Sequence, residues 1–468
     1  MPAATWACVC GLLLGTASWG LPPPVVASIG LTGLAISSRR RTAGRVLGIG
    51  LLALGAGAWL TSAHEPVAPA AVEIASNFPR CSISGRILEH AGELGTVVAV
   101  ARAECSGWGT LPGLGPVIFE PLDHEPGSKI RAEGWLRRLT SETFDAARAR
   151  TGALVAFESS QIELEGPPTG LGRVAARFRK GLAAATTSLD FEKGALVRGL
   201  TIGDTSDISP VTEEHFRRSG LAHLLAVSGS NVAIVLGAVI LLAGRLSLVA
   251  RVLLCGAALS FFVAVVGPEP SVLRAATMGA LGLVGVVAGR PTEPLQALGL
   301  ALTLLLVARP HMAQSVGLQL SAAATAGLIL WTRPLAGVLQ RRLPGPLAFA
   351  VAVPVAAQTA VLPILAGVFG QISLVAPGAN LLALPAVAPV TIVGLLAGAF
   401  GSAVTQAGNA LAALTEPFAT WILWVARVAG SWEGAAVDCP RWMGWVLAAP
   451  VAVAAVVSVG RDSRVRED

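Results

Sequence analysis

The 468 residues are 53% hydrophobic and only 13% charged, with a mean hydropathy of +0.68. Because apolar runs extend along most of the chain, these values exclude a soluble protein with one anchor and predict a polytopic α-helical membrane protein. The net charge of +6 is explained first by topology, since cytoplasmic loops collect Arg and Lys, and only second by an anionic ligand.

The chain opens with three apolar segments within residues 1–62, which predict N-terminal transmembrane helices. Arg39, Arg40, Arg41 and Arg45 follow the second segment, and the positive-inside rule places that end in the cytoplasm. The first segment lacks the basic region and cleavage site of a signal peptide, so we interpret it as a retained membrane segment.

Residues 68–166 have a different character, with charges every few residues and short β-like runs at 81–88, 95–101, 130–136 and 154–158. About a hundred residues of short strands suit a small β-barrel. The topology places this domain outside the cytoplasm, where Cys81 and Cys105 could form a disulfide. Two free buried thiols are the alternative.

Aromatic and basic residues within this β domain could contact a nucleic acid strand: Trp108, Arg131, Trp135, Arg137 and Arg138. Stacking surface and positive charge are the two requirements of single-strand binding on such a barrel. We favour the alternative of core or interface tryptophans beside surface arginines, because nearby acids such as Glu120 and Glu133 dilute the positive field.

Apolar side chains recur at helical spacing through residues 172–193, and four basic residues crowd the first half of that segment. The pattern predicts an amphipathic basic helix at the membrane surface or, less often, a helix that guides an anionic ligand. Nearly all of residues 195–459 is apolar and predicts further membrane spans, and a short charged tail follows at 460–468. Two prolines within residues 380–389 indicate a broken or re-entrant helix.

Polar side chains stand out within the apolar segment 219–244, namely His223, Ser228, Ser230 and Asn231. On one continuous helix His223 and Ser230 would lie nearly in line, with Asn231 rotated to one side. Such residues either line an aqueous path or bond between neighbouring helices, and the residue types alone favour neither reading.

Ordered motifs in this region resemble the ComEC family of bacterial competence proteins, the inner-membrane channels for DNA uptake in natural transformation. Residues 223–229 read HLLAVSG, and further matching stretches lie at 195–204, 216–220, 273–275, 317–321, 358–363, 369–373 and 377–382. The β domain also fits, because members carry an OB-like domain between early membrane helices and the channel core.

The resemblance implies a multi-pass plasma (inner) membrane protein of roughly 10–12 transmembrane helices with an extracytoplasmic OB-like β domain. It implies a channel that passes single-stranded DNA across the lipid bilayer and is not itself an enzyme. The expected partners are a DNA-receptor protein, a separate helicase-like motor, a separate nuclease and a possible second copy of the chain. We expect no cofactor and no metal.

Two departures from the family pattern limit what carries over. Many members have a second histidine where this chain has Asn231, so a mechanism based on paired imidazoles is not assumed. Many also have a C-terminal metallo-β-lactamase domain, and no His-x-His-x-Asp-His cluster occurs in this sequence. Since no G-x-x-x-x-G-K-[ST] loop is present, energy must come from a partner motor or the proton gradient.

The predicted polar lining of the DNA path is His223, Ser228, Ser230, Asn231, Arg274, Gln319, Ser321, Gln358 and Asn380. Arg274 is the strongest candidate for phosphate contact, although it could instead extend to the interface or pair with Glu269. Each amide or hydroxyl alone is more often a helix-to-helix contact. A transporter of another anionic polymer or lipid precursor on the same scaffold remains the alternative function.

Overall fold

The computed structural model describes residues 73–454, apart from 91–94, 112–115, 123, 140–152, 154, 226, 291–292, 310–311, 314, 445, 449 and 452–453. The predicted helices within residues 1–62 and the tail at 460–468 lie outside the described residues. Contacts divide the described chain into two units, each made of two segments. The β unit contains the residues up to Arg177 and the segment Leu302–Ser315. The helical unit contains Phe178–Ala301 and the residues from Val316 onward.

The β unit contains six strands: β1 Arg80–His90, β2 Thr96–Cys105, β3 Gly109–Leu111, β4 Pro116–Phe119, β5 Lys129–Arg138 and β6 Val155–Gly166. β1 pairs with both β2 and β5, β5 pairs with β6, β6 with β4, and β4 with β2, so these five strands close into a ring. Only β4 and β6 among these pairs run parallel. The four β-like runs predicted from the sequence overlap β1, β2, β5 and β6.

Alternation of apolar and polar residues explains which side of each strand is buried. In β5 Ile130 and Leu136 face inward, while Arg131 and Trp135 face outward. The inward side chains of neighbouring strands form one core that includes Ile83, Val98, Phe119 and Phe157. Cys81 and Cys105 are directly opposite in β1 and β2, and they form a disulfide.

The remaining elements are α1 Leu171–Thr186, α2 Phe191–Ile202, α3 Pro210–Arg218, α4 Ala222–Leu225, α5 Gly229–Leu242, α6 Leu248–Val266, α7 Pro270–Val287, α8 Pro294–Ala308, α9 Val316–Leu339, α10 Gly345–Ile364, a π-helical turn Leu365–Phe369, β7 Gln371–Ser373, α11 Ala376–Gly401, α12 Thr405–Ala413, α13 Glu416–Ser431 and β8 Ala436–Asp438. β7 and β8 pair in a two-stranded ribbon.

Five of these helical segments are long and apolar enough to cross a membrane: α6, α7, α9, α10 with its π-helical turn, and α11. Helices α5 and α8 are apolar but shorter. Within the most apolar part of α11, 44% of residues are buried, against 17 to 22% in the other four. Hence α11 is the central helix, and the others present apolar surface outward, as lipid contact requires.

The structure corrects three helix predictions. The basic helix predicted over residues 172–193 ends at Thr186, where the side chains of Thr187 and Ser188 turn back to carbonyls of α1. The apolar segment 219–244 is not one continuous helix, because α4 ends at Leu225 and the backbone of Ser228 is extended before α5 begins. His223 and Ser230 therefore do not share one helical stripe.

The predicted break at residues 380–389 is also wrong, since α11 continues through Pro385 and Pro389. Proline removes one helical hydrogen bond, and neighbouring groups in membrane proteins commonly compensate for that loss. The indole of Trp421 on α13 donates to the Leu382 carbonyl at 2.8 Å, next to the Leu381 carbonyl that Pro385 leaves without its helical donor.

Candidate functional site

The chain between α3 and α5 runs along α11 inside the helical unit. Leu221, Leu224 and Leu225 pack in one cluster with α11 residues such as Ala383 and Val390. Gly220 makes this course possible, because its φ of 73° is in the left-handed region and a Cβ there would overlap Ala376 at the start of α11. The polar segment is thereby held against the central helix.

Arg274 lies where the starts of three helices meet. It belongs to the second turn of α7 and is only 5% exposed. Its Nε donates to Ser321 Oγ on α9 at 2.9 Å, and its Nη1 is 3.1 Å from Met278 Sδ, one turn further along α7. Its Nη2 faces Gly229 at the start of α5, where a Cβ would overlap that nitrogen.

A second contact fixes α7 against the same part of the chain. Ser271 Oγ donates to the Val227 carbonyl at 2.7 Å, just before α5. Val227 and Val232 form a cluster with Phe262 on α6 and Val272 on α7. Contacts with Val227, just before α5, and with Val232, in its first turn, therefore hold α7 beside α5. They hold the Arg274 guanidinium there as well, because Arg274 belongs to α7.

No carboxylate within the described residues lies within 4.0 Å of the Arg274 guanidinium. Glu269, the pairing partner considered from the sequence, precedes α7 and makes no ion pair within that same part of the chain. The Glu269 side chain reaches the surface, but the protein around it removes part of its hydration. This desolvation raises the pKa of the carboxyl above its ordinary value. Arg274 is thus a buried cation that lies beside the positive end of a helix and has no counter-charge among the described residues. The result is an excess of positive potential at this place.

The hydroxyls beside this cation are accessible from outside the protein. Ser228 occupies the N-cap position of α5, and its hydroxyl bonds with that of Ser230 instead of capping the helix. Ser230 is exposed, whereas Ser228 and Gly229 are half-buried. His223 on α4 is also exposed, so three predicted lining residues reach the surface near the start of α5.

The predicted amides make contacts with backbone carbonyls. Asn231 is 2% exposed, and its Nδ2 donates to the Leu200 carbonyl of α2 at 2.9 Å. Asn380 Nδ2 donates to Ala376 at 2.8 Å and to Gly220 at 3.5 Å, while Gln358 Nε2 donates to Ser373 at 3.5 Å. These three residues hold helices and turns together. Gln319 is half-buried on α9, two residues before Ser321.

In the β unit Trp108 and Trp135 are 47% and 41% exposed, so neither is a core residue. Two of the arginines near them are paired with acids. Arg131 lies 2.7 Å from Glu165, and Arg137 lies 3.1 Å from Glu158. Arg138 is exposed at the end of β5. The acids of β6 thus offset the positive charge that the sequence suggested for this surface.

Sequence reasoning overlooked Gly229 and Met278, which lie against the Arg274 guanidinium, and Ser271, which bonds α7 to Val227. The lack of a side chain at Gly229 is what lets the guanidinium approach α5. The spacing of Arg274 and Met278, four residues apart on one helix, was the available signal for their contact.

These features define a multi-pass, helix-rich membrane protein in which a polar segment and an arginine without a carboxylate partner in the described chain lie among apolar helices. Residues 200–463 match the competence protein family, and the chain belongs to that family. This match confirms the ComEC-type resemblance seen in the motifs.

A curated relative, "ComE operon protein 3" of Bacillus subtilis (strain 168), is 30% identical over 208 residues. The matched part covers 44% of this chain but only 26% of that relative. No solved structure matches the chain.

Proposed function

We propose that the protein is a channel component of the inner membrane that passes single-stranded DNA into the cell during natural transformation. The observation that carries this proposal is the polar segment around His223, Ser228 and Ser230, which lies within the stretch that matches the competence family. A hydrated path for a polyanion needs accessible polar groups and positive charge inside an apolar surrounding. The start of α5 offers both.

Lining and supporting residues are separated in this proposal. His223, Ser228, Ser230, Arg274, Gln319 and Ser321 line or border the path. Asn231, Gln358 and Asn380 support it from behind, because their amides already donate to backbone carbonyls.

The β unit is assigned an OB-like barrel on the extracytoplasmic side. The ring of five strands, with β4 and β6 as its parallel pair, supports that assignment. The disulfide between Cys81 and Cys105 supports an oxidising compartment. A receptor would deliver the DNA, and a separate motor and nuclease would complete the uptake machine.

Deletion of the gene in a transformable host tests this function. Labelled duplex DNA is expected to bind to the cell surface but not to reach the cytoplasm, and a plasmid copy of the chain restores uptake. Envelope integrity, measured by sensitivity to detergent, is expected to stay normal. Normal DNA uptake together with an envelope defect would overturn the proposal in favour of transport of another anionic polymer or a lipid precursor.

A further inference from the structure

The start of α5 has the donors of an anion site. The first N–H groups of a helix have no intrahelical partner, and the aligned peptide dipoles make that end positive. The Ser228 side chain does not cap them. Asn231 N donates to the Ser228 carbonyl, whereas the N–H groups of Gly229 and Ser230 have no partner within the described residues. The hydroxyls of Ser228 and Ser230 lie at the same place.

Arg274 independently points to a ligand at this helix start. It is more than nine-tenths buried, and its Nη2 is directed at Gly229 without a hydrogen-bond partner in the described part of the chain. Its two other contacts, a hydroxyl and a thioether, carry no negative charge. A guanidinium and a helix N-terminus repel one another, so an anion that lies near both would stabilise the arrangement.

We infer that the start of α5 and Arg274 bind one phosphodiester group, an inference that rests on the proposed function. A phosphodiester carries a single negative charge, which matches the single positive charge of Arg274. Its two free oxygens accept from backbone N–H groups, serine hydroxyls and Nη2 without any contact to a base. A site of this kind binds each phosphate of a passing strand equally, so it does not select sequence.

Substitution of Gly229 by Ala should disturb ligand binding without unfolding α5. A methyl group there meets the far end of the Arg274 side chain, which can move aside, and lies 3.3 Å from the Cβ of Ala275, which has to shift by a few tenths of an ångström. Gly229→Ala should therefore displace Nη2 from the helix start. Gly237, on the same helix, has open space at its Cβ position, so Gly237→Ala is the matched control.

The test uses the full chain in nanodiscs of phosphatidylcholine and a fluorescent abasic deoxyribose phosphate strand as the probe. We expect Arg274→Gln and Gly229→Ala each to weaken binding of the strand by about tenfold or more, as loss of a charge-assisted contact predicts. Arg217→Gln is the matched control for the charge, because Arg217 is exposed and paired with Glu214. A neutral methylphosphonate strand should not bind the wild type.

A lipid headgroup also carries a phosphodiester, and a second arm separates that source. Wild-type protein and Arg274→Gln are extracted from phosphatidylglycerol bilayers, and retained lipid is counted by native mass spectrometry. If only the lipid depends on Arg274, the phosphodiester site stands, but its ligand is the lipid headgroup and not the DNA strand. If neither strand nor lipid depends on Arg274, the inference is overturned, while the gene deletion still decides the proposed function.

Discussion

The arginines of the β unit and Arg274 of the helical unit differ in how their positive charge is compensated. In the β unit Arg131 and Arg137 are partly exposed and lie within 2.7 and 3.1 Å of glutamates. In the helical unit Arg274 is buried, and the described residues give it no carboxylate. Exposed ion pairs contribute little, whereas a buried unpaired charge is strongly unfavourable. A ligand is therefore expected where compensation is missing, and not where arginines are most numerous.

The helical unit is able to pair a buried arginine. Arg198 on α2 is 9% exposed, and it bonds to Asp207 and to the Thr186 hydroxyl, with Asp204 at 3.7 Å. This arginine joins α2 to the end of α1 and to the loop before α3. The missing carboxylate at Arg274 is thus a property of that position and not of the whole unit.

The largest expected effect comes from giving Arg274 the partner that it lacks. Met278→Glu places a carboxylate one helical turn away, next to Nη1. Because the new ion pair competes with phosphate, uptake of labelled DNA should fall by about tenfold or more. Met278→Gln has nearly the same shape without the charge and should retain uptake. Equal uptake by the two variants, at equal protein levels, would show that the charge of Arg274 is not used.

The next effect concerns the stability of the β unit. Replacing both Cys81 and Cys105 by Ser should lower its free energy of unfolding by about 2 to 5 kcal/mol, as for other small domains that lose a disulfide. Pulse proteolysis of the full chain in urea, read at cleavage sites before Arg177, measures the change. Cys255→Ser and Cys439→Ser alter free cysteines of the helical unit and should leave those sites protected.

A smaller effect separates a supporting amide from a lining one. Asn231→Leu leaves the Leu200 carbonyl without its donor, which should cost about 1 to 3 kcal/mol of stability. Thermal unfolding in nanodiscs should show the loss, while uptake per folded molecule stays unchanged. Ser230→Ala, at the exposed neighbouring position, should leave stability unchanged. If Asn231→Leu lost uptake at normal stability, Asn231 would be a lining residue of the path and not a supporting one.

Local patterns were sufficient to predict much of both units. Alternation in residues 130–136 predicted β5, because side chains of a strand face opposite sides in turn. Hydropathy predicted membrane spans within residues 195–459, where α6 and α9 lie, because a span must be apolar over its length. The polar residues around 223–231 were identified for the same reason, since they interrupt an apolar segment.

Tertiary contacts decided what the sequence could not. Two prolines suggested a break in α11, but the helix continues through both of them and packs against neighbouring helices. Arg274 and Glu269 are close in sequence, yet no ion pair joins them. The approach of Arg274 to Gly229 spans two helices, and a single sequence has no local signal for such a contact.

The smallest expected effect is on the arginines of the β unit. Arg131→Ala and Arg137→Ala each remove an ion pair that is at least partly exposed, so stability should change by no more than about 1 kcal/mol. Since Glu165 and Glu158 already offset these charges, affinity for the abasic strand should stay within about twofold of wild type.

Trp135→Ala tests the same surface for stacking, and any loss should appear with ordinary DNA but not with the abasic strand. A tenfold loss for Arg131→Ala would mean that Glu165 releases its arginine to DNA. Paired arginines would then bind phosphate as well as the unpaired one, and charge compensation would no longer distinguish the two units.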